Sequence, residues 1–235
     1  IVFATRPFSI DELYIIAAKP LSPTESPLMK AAVLGTRGFV LSPEAPYVDE
    51  SNVVHVPHVQ SSEECSIAVS SWKTKFESWI AAVSVDNEPD SERYGRIIRL
   101  MNTIINGPDR PRYVVLPELA LPANWFMRVA KKLRANGTSL ITGIQYLHAR
   151  RRRVRHQVWA SLSHNALGFP SGLIYRQEKQ RPAYHEELEL SRVGGLTMAP
   201  KNPWERSRPP IVRHGDLNFA ILVCSELTKI EYRAS

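Results

Sequence analysis

The sequence has few of the features that signal a disulfide framework, a membrane span or secretion. Its 235 residues contain only two cysteines, and a sparse pair in a chain of this length is typical of free thiols in a reducing compartment. No apolar run approaches the roughly 18 residues that a membrane-spanning helix requires, and the first residues lack the pattern of a signal peptide. We therefore expect a cytoplasmic protein that does not contact a membrane.

Motifs for cofactors and metals are also missing. The sequence has no Gly-rich phosphate loop, no paired Cys-x-x-Cys and no His-Glu-x-x-His, so we expect neither a nucleotide cofactor nor a bound metal. The net charge of +7 favours an acidic partner such as nucleic acid, although a basic surface also serves solubility. Hydrophobic residues make up 43% of the chain and charged residues 23%, which is the balance of a globular domain.

Regular patterning begins at about residue 72. Residues 1–71 contain recurrent proline turns and one short extended piece at 53–56, which predicts an extension or the tail of an upstream domain. Strand-like and helix-like segments alternate over 72–235, which predicts an α/β domain. The expected elements are strand 79–85, helix 91–106, strand 113–116, helix 122–136, strand 139–144, antiparallel strands 157–163 and 171–176, strand 217–223 and a helix after it. Because the chain begins without methionine and stops just after that helix begins, we expect it to be part of a longer polypeptide.

Three residues fit the roles that acyl transfer from nitrogen requires: a nucleophile, a base that activates it, and a positive charge for the developing anion. Cys224 lies where a strand meets a helix, and the positive end of a helix lowers the pKa of a thiol. Glu118 follows an apolar strand, where burial suits a carboxyl to act as a general base. Lys179 would lower the thiol pKa further. Each residue also has an ordinary interpretation. Cys224 could be a buried small hydrophobe, Glu118 a carboxylate in the first turn of a helix, and Lys179 a solvated cation.

The order and surroundings of these residues resemble the nitrilase, or carbon-nitrogen hydrolase, superfamily. Pro117-Glu118 after one strand, the segment from Tyr175 to Lys179, and Cys224 after a third strand match the family's Pro-Glu, Tyr-x-x-x-Lys and cysteine elbow. The match covers about 71–235. It implies an α/β fold of the nitrilase-like four-layer α-β-β-α sandwich type, whose C-terminal part would be missing from this sequence.

The resemblance also implies a reaction. Cys224 would attack a small-molecule amide, carbamoyl or nitrile substrate, Glu118 would take the thiol proton, and Lys179 with the backbone N–H of Ser225 would stabilise the anion. A homo-oligomer is expected, and no cofactor. The alternative is a catalytically silent nitrilase-fold module that serves oligomerisation or nucleic-acid-associated assembly.

Members of this superfamily often use a second glutamate after the lysine. Three residues of an acidic run, Glu186, Glu187 and Glu189, compete for this role. Glu187 is our preferred candidate, and the alternative is that the whole run is a solvated helix face.

The densest charge cluster predicts a hairpin tip between two strand-like segments. It consists of Arg150, Arg151, Arg152, Arg153 and Arg155. Such a run can hold nucleic-acid phosphates, but no aromatic residues interleave with it, so a solvated loop is the alternative.

The long region before residue 72 and the acidic run after the lysine are similar to the nitrilase domain fused behind a reverse transcriptase in bacterial antiphage defence systems. That similarity implies RNA or DNA as a partner through an attached polymerase domain.

Overall fold

The computed structural model describes residues 39–40, 51–56, 64–86, 89–165, 170–200 and 208–228. These residues form a mixed α/β structure, as the sequence predicted. The helices are α1 (Phe76–Ser84), α2 (Arg93–Asn106), α3 (Ala123–Arg134) and α4 (Tyr184–Gly194), followed by a 3-10 helix at Cys224–Thr228. The strands are β1 (Phe39–Val40), β2 (Val53–His55), β3 (Ile67–Val69), β4 (Tyr113–Leu121), β5 (Ser139–Ile144), β6 (Leu147–Ala149), β7 (Arg153–Arg155), β8 (Gln157–His164), β9 (Ser171–Glu178), β10 (Thr197–Met198), β11 (Ile211–His214) and β12 (Leu217–Ala220).

A six-stranded mixed sheet with the order β1-β9-β8-β5-β4-β3 forms the centre of the described structure. β3, β4 and β5 are parallel, whereas β8 runs antiparallel to both β5 and β9. β9 therefore runs in the same direction as β4, and their carboxyl ends lie at one edge of the sheet. The amino end of β8 lies at this edge as well.

Each face of this sheet carries its own core because side chains alternate along a strand. Leu116 and Leu140 face a cluster that includes Phe126 and Leu133 of α3. Tyr113 and the alternating residues of β8 face a second cluster that includes members of the three-stranded sheet β12-β11-β2. The described residues thus stack as helices, large sheet and small sheet.

The prediction of a strand at 79–85 is wrong. Residues 76–84 form helix α1, and Val85 ends it in a left-handed conformation with φ 64°. A short, nearly continuous apolar run fits a buried strand and a buried helix equally well, so its pattern alone cannot separate them. The strand that precedes β4 in the sheet is instead β3, at Ile67–Val69.

The segment that leads to Cys224 also differs from its prediction. The expected strand 217–223 ends at Ala220 as β12, and residues 221–223 have no regular secondary structure. The element that follows is a 3-10 helix beginning at Cys224 itself. The strand-to-helix elbow is therefore an irregular segment followed by a tight helical turn.

Part of the predicted extension contributes strands. Residues 53–55 form β2, paired with β11, and residues 67–69 form β3, paired with β4. β1, at Phe39–Val40, pairs with β9. Residues 1–38, 41–50 and 57–63 lie outside the described residues, and the domain boundary at 71 stays a prediction.

Both cysteines are free and exposed, as the sparse pair predicted. In the part of the chain that the structure describes, every helix is too short or too polar to cross a bilayer.

Candidate active site

The sheet edge described above brings three chemically useful residues together. Glu118 lies near the carboxyl end of β4, Lys179 directly follows β9, and His156 directly precedes β8. Ligands and catalytic groups commonly gather at the carboxyl ends of strands in such sheets. The topology therefore accounts for the convergence of residues 61 positions apart in the chain.

Glu118 lies in a bulge of β4. The pairing of β4 with β5 is regular up to Leu116 and resumes only at Leu121. Between them the ladder is interrupted, and Leu119 has a left-handed φ of 55°. Bulges bend a strand and redirect its side chains, often next to active sites. The predicted strand 113–116 is therefore too short, because β4 continues past the bulge to Leu121.

Two neighbours stabilise this bulge. The buried Arg93 guanidinium donates to the carbonyl of Leu119 at 2.7 Å and to that of Ala120 at 2.8 Å. Gly143 of β5 lies so close that a Cβ there would meet the Glu118 Cα at 2.6 Å. The position of the Glu118 backbone thus depends on a buried cation and on the absence of a side chain opposite it.

Lys179 joins two carboxylates in the interior of the site. Its Nζ donates to Glu118 Oε1 at 2.7 Å and to Glu186 Oε2 at 2.6 Å, and the side chain is only 1% exposed. Burial by itself lowers the pKa of Lys179, but the hydrogen bonds to Glu118 and Glu186 outweigh it, so the net direction is upward. Lys179 is therefore a charged ammonium and cannot act as a base at neutral pH.

The glutamate that contacts Lys179 is Glu186, and the preference for Glu187 is corrected. Glu186 lies in the first turn of α4 and also accepts the backbone N–H of Ala183 at 3.3 Å. Glu187 is exposed, and Glu189 forms a surface ion pair with Arg192. The N-cap of α4 is Ala183, which lacks the Ser or Thr side chain of a capping box, so the local sequence did not single out Glu186.

His156 is a site residue that the sequence did not reveal. Its buried Nδ1 lies 3.0 Å from Glu186 Oε1 and 3.5 Å from Glu118 Oε1. Tyr146 O–H donates to the same Glu186 oxygen at 2.9 Å. Burial raises the pKa of Glu186, but His156 and then Lys179 outweigh it and hold that pKa at about 2. Glu186 is thus a fixed anion that positions the lysine.

Cys224 is coupled to Glu118. Glu118 and the backbone N–H of Ser225 both lie close enough to the thiol to change its pKa, Glu118 raising it and the N–H lowering it. Burial, then the charge of Glu118, raises the thiol pKa, and Lys179 and the Ser225 N–H offset this only in part. The prediction of a lowered pKa is therefore wrong, because an anion next to the sulfur disfavours a second negative charge. At neutral pH Cys224 is therefore a protonated thiol beside the Glu118 carboxylate.

Glu118, His156 and Glu186 also place three potential metal ligands within 4.8 Å of one another. The Lys179 ammonium bonds both carboxylates of this group. A divalent cation between the same oxygens would meet that positive charge at contact distance. The cluster is therefore satisfied by its own lysine.

The arginine cluster lies at a hairpin tip, as predicted, but the paired strands are β6 and β7 instead of the expected segments 144–147 and 157–162. Arg150, Arg151, Arg152 and Arg153 are exposed, whereas Arg155 pairs with Glu178 at 3.5 Å. Arg151 and Arg152 have left-handed φ angles of 62° and 54°. Contact of these side chains with nucleic acid stays a prediction.

Comparison of the chain with protein-family models, with curated proteins and with solved structures finds no match in any of the three.

Proposed function

We propose that this chain is a cysteine-dependent hydrolase of non-peptide C–N bonds in amide, carbamoyl or nitrile substrates, with a nitrilase-like sandwich fold. The stacking of helices, a large sheet and a small sheet in the described residues supports this choice of fold. The observation that carries the functional proposal is the carboxylate of Glu118, which bonds the Lys179 ammonium at 2.7 Å and lies close enough to the Cys224 thiol to raise its pKa. Base and cation are in direct contact, and the nucleophile lies beside them.

The first half of the reaction follows from these contacts. Glu118 takes the proton of the Cys224 thiol as the sulfur attacks the carbonyl carbon, and the electron pair of the C=O bond moves to oxygen. Lys179 and the Ser225 N–H stabilise the resulting anion. The oxygen electron pair returns, the C–N bond breaks, and the nitrogen leaves with the proton held by Glu118. A thioester remains on Cys224. With a nitrile, the proton from Glu118 goes to the nitrogen instead and gives a thioimidate, and a first water molecule then converts this to the same thioester with release of ammonia.

The second half reuses the same base. Glu118 removes a proton from a water molecule as its oxygen attacks the thioester carbon. The C–S bond then breaks, and the proton on Glu118 returns to the sulfur. The products are a carboxylic acid and free enzyme, and no redox partner is required.

The direct test is the variant Cys224→Ala, with Cys65→Ala as the matched control because both thiols are free and exposed. Both proteins are incubated with a panel of linear amides, carbamoyl compounds and nitriles, and ammonia release and intact mass are recorded. We expect Cys224→Ala to lose turnover and the acyl adduct, while Cys65→Ala keeps both. Ammonia release by Cys224→Ala at the parental rate would eliminate the mechanism. Absence of any adduct on Cys224 of the parent would favour the silent-module alternative.

A second candidate function is contact with nucleic acid, and the exposed arginine hairpin is the observation that favours it. Within the described residues, Arg150, Arg151 and Arg153 have no ion-pair partner, so their charges face solvent. If these residues bind phosphates, replacing all three with serine should lower the affinity for RNA or DNA. The slope of log affinity against log salt concentration should also become less steep, by roughly 0.7–0.9 for each phosphate that the variant no longer binds. Equal affinity and slope in both proteins would identify a solvated tip. Association with an antiviral reverse transcriptase is tested by searching the adjoining sequence for polymerase motifs.

A further inference from the structure

Strand pairing does not hold the nucleophile in place. β12 ends at Ala220, and residues 221–223 lie outside any regular element. Cys224 nevertheless has a left-handed φ of 50°, a conformation that persists in a non-glycine residue only when its surroundings enforce it. Some other interaction must therefore fix this elbow.

Glu226 supplies that interaction on the Cys224 side. Its Oε2 accepts the backbone N–H of Val223 at 3.0 Å. Its own backbone N–H donates to the carbonyl of Val223 at 3.1 Å. Both bonds join Val223 to Glu226, so they close a small hydrogen-bonded ring that contains Cys224.

The other oxygen of Glu226 reaches the lysine strand. Oε1 accepts the backbone N–H of Gln180 at 2.7 Å, and Gln180 directly follows Lys179. One carboxylate thus links the backbone next to the nucleophile with the backbone next to the catalytic cation. A second link two residues before Lys179 supports it, because Gln177 Nε2 donates to the carbonyl of Ile221 at 2.5 Å.

The chemistry of Glu226 fits this linking role better than a role in stability alone. The residue is only 1% exposed, and a buried carboxylate that bonds neutral N–H groups is a costly choice compared with an apolar side chain. A carboxylate has two acceptor oxygens and no donor, which suits two converging backbone N–H groups. An amide of the same size would direct its NH₂ group at one of them.

We propose that Glu226 is a positioning residue that holds Cys224 in its left-handed elbow and sets the distance between its sulfur and the Glu118–Lys179 pair. This inference rests on the proposed function for its kinetic consequence, but the placement of the thiol can be measured without turnover. Glu226 itself contacts neither the thiol nor the substrate in the proposed reaction.

The test uses Glu226→Gln and Glu226→Asp in the full chain. Glutamine keeps the size but loses one acceptor, and aspartate keeps the charge but is too short to span both N–H groups. We expect kcat to fall by about 10²-fold with little change in KM, the magnitude associated with a displacement of about 1 Å. Burial and then the charge of Glu118 raise the thiol pKa. If a Glu226 variant lets Cys224 leave its position, the sulfur moves away from Glu118. The pH midpoint of iodoacetamide labelling at Cys224 should then shift downward, toward an ordinary thiol value near ~8.5.

The control is Tyr113→Phe, which removes a buried hydrogen bond of 2.5 Å to His214 Nδ1 and lowers stability without removing any hydrogen bond of Glu226. It should reduce Tm without moving the labelling midpoint. A parental midpoint in both Glu226 variants would overturn the proposal, and so would the same shift in Tyr113→Phe. If the parent shows no hydrolysis but the midpoint shifts only in the Glu226 variants, the positioning role holds and the proposed function fails.

Discussion

Replacing Gly143 with alanine tests whether close approach of two strands positions the base. A Cβ at this site would lie 2.6 Å from the Glu118 Cα, 2.7 Å from the Leu119 nitrogen and 2.8 Å from the Pro117 oxygen. Optimal carbon contacts are about 3.5–4.0 Å, so the strands must separate by roughly 1 Å. All three atoms belong to the backbone, and no side-chain rotation can relieve the contact.

Two losses are expected from this displacement. Overpacking of a well-ordered core typically costs about 1–3 kcal/mol of stability, which urea unfolding would measure. The 2.7 Å bond from Lys179 to Glu118 would also be stretched, and misplacement of a catalytic group by about 1 Å can lower the rate by about 10²-fold. Ammonia release from a substrate of the parent protein gives this rate.

The matched control is Gly95→Ala. A Cβ at Gly95 would lie 3.4 Å from Arg99 Nη1, the end of a flexible side chain, and alanine in a helix is more stable than glycine by about 0.5–1 kcal/mol. We expect this variant to keep its activity and to gain stability. Parental activity in Gly143→Ala would refute the argument that the close approach fixes Glu118.

Three further predictions concern charges in the described core. Glu186→Gln should lower kcat because it weakens the contact that holds the buried ammonium, whereas Glu187→Gln should match the parent in steady-state kinetics. Arg93→Met removes the charged donor of the two bulge carbonyls, of which that of Leu119 still accepts Thr74 Oγ1 at 3.4 Å, and we expect a loss of about 2–5 kcal/mol in urea unfolding together with reduced activity; stability equal to that of the parent would contradict this. Burial lowers the pKa of His214 to about 4 in the folded protein, whereas the residue has a pKa of about 6.5 in the unfolded chain. Between these two pH values His214 is protonated in the unfolded chain but not in the folded protein. The unfolding free energy should therefore decrease by up to about 3 kcal/mol between pH 6.5 and 4, and a pH scan in which His214→Leu keeps the same slope would contradict it.

The elements that the sequence predicted best are those with a clear local pattern. Residues 93–106 show helical spacing and form α2, and the apolar segment 139–144 forms β5. The antiparallel pair at 157–164 and 171–178 was signalled by alternation and a turn between them. Convergence of Glu118 and Lys179 at one edge depends on the strand order as well as on the rule for carboxyl ends, because β9 takes the direction of β4 only through the antiparallel strand β8.

The details that escaped prediction depend on tertiary contacts. His156 follows a run of arginines, and only the pairing of β8 shows that it is buried beside Glu186. The choice between Glu186 and Glu187 depends on the rotation of α4 about its axis, which a short acidic run does not specify. The predicted direction of the Cys224 pKa was wrong for the same reason, because burial of the thiol and then the charge of Glu118 raise it, and both depend on tertiary contacts.

The arrangement of charges suggests how the proposed site keeps its electrostatic balance during attack. Lys179 stays in contact with Glu118, and Glu186 remains ionised at neutral pH. When Glu118 takes the thiol proton, the negative charge that Lys179 faced on this side disappears. In the same step a negative charge develops on the substrate oxygen, so the ammonium exchanges one anionic neighbour for another. The raised thiol pKa of Cys224 then has a mechanistic consequence: no thiolate accumulates before substrate arrives, and the proton moves only when the new anion can take its place beside Lys179.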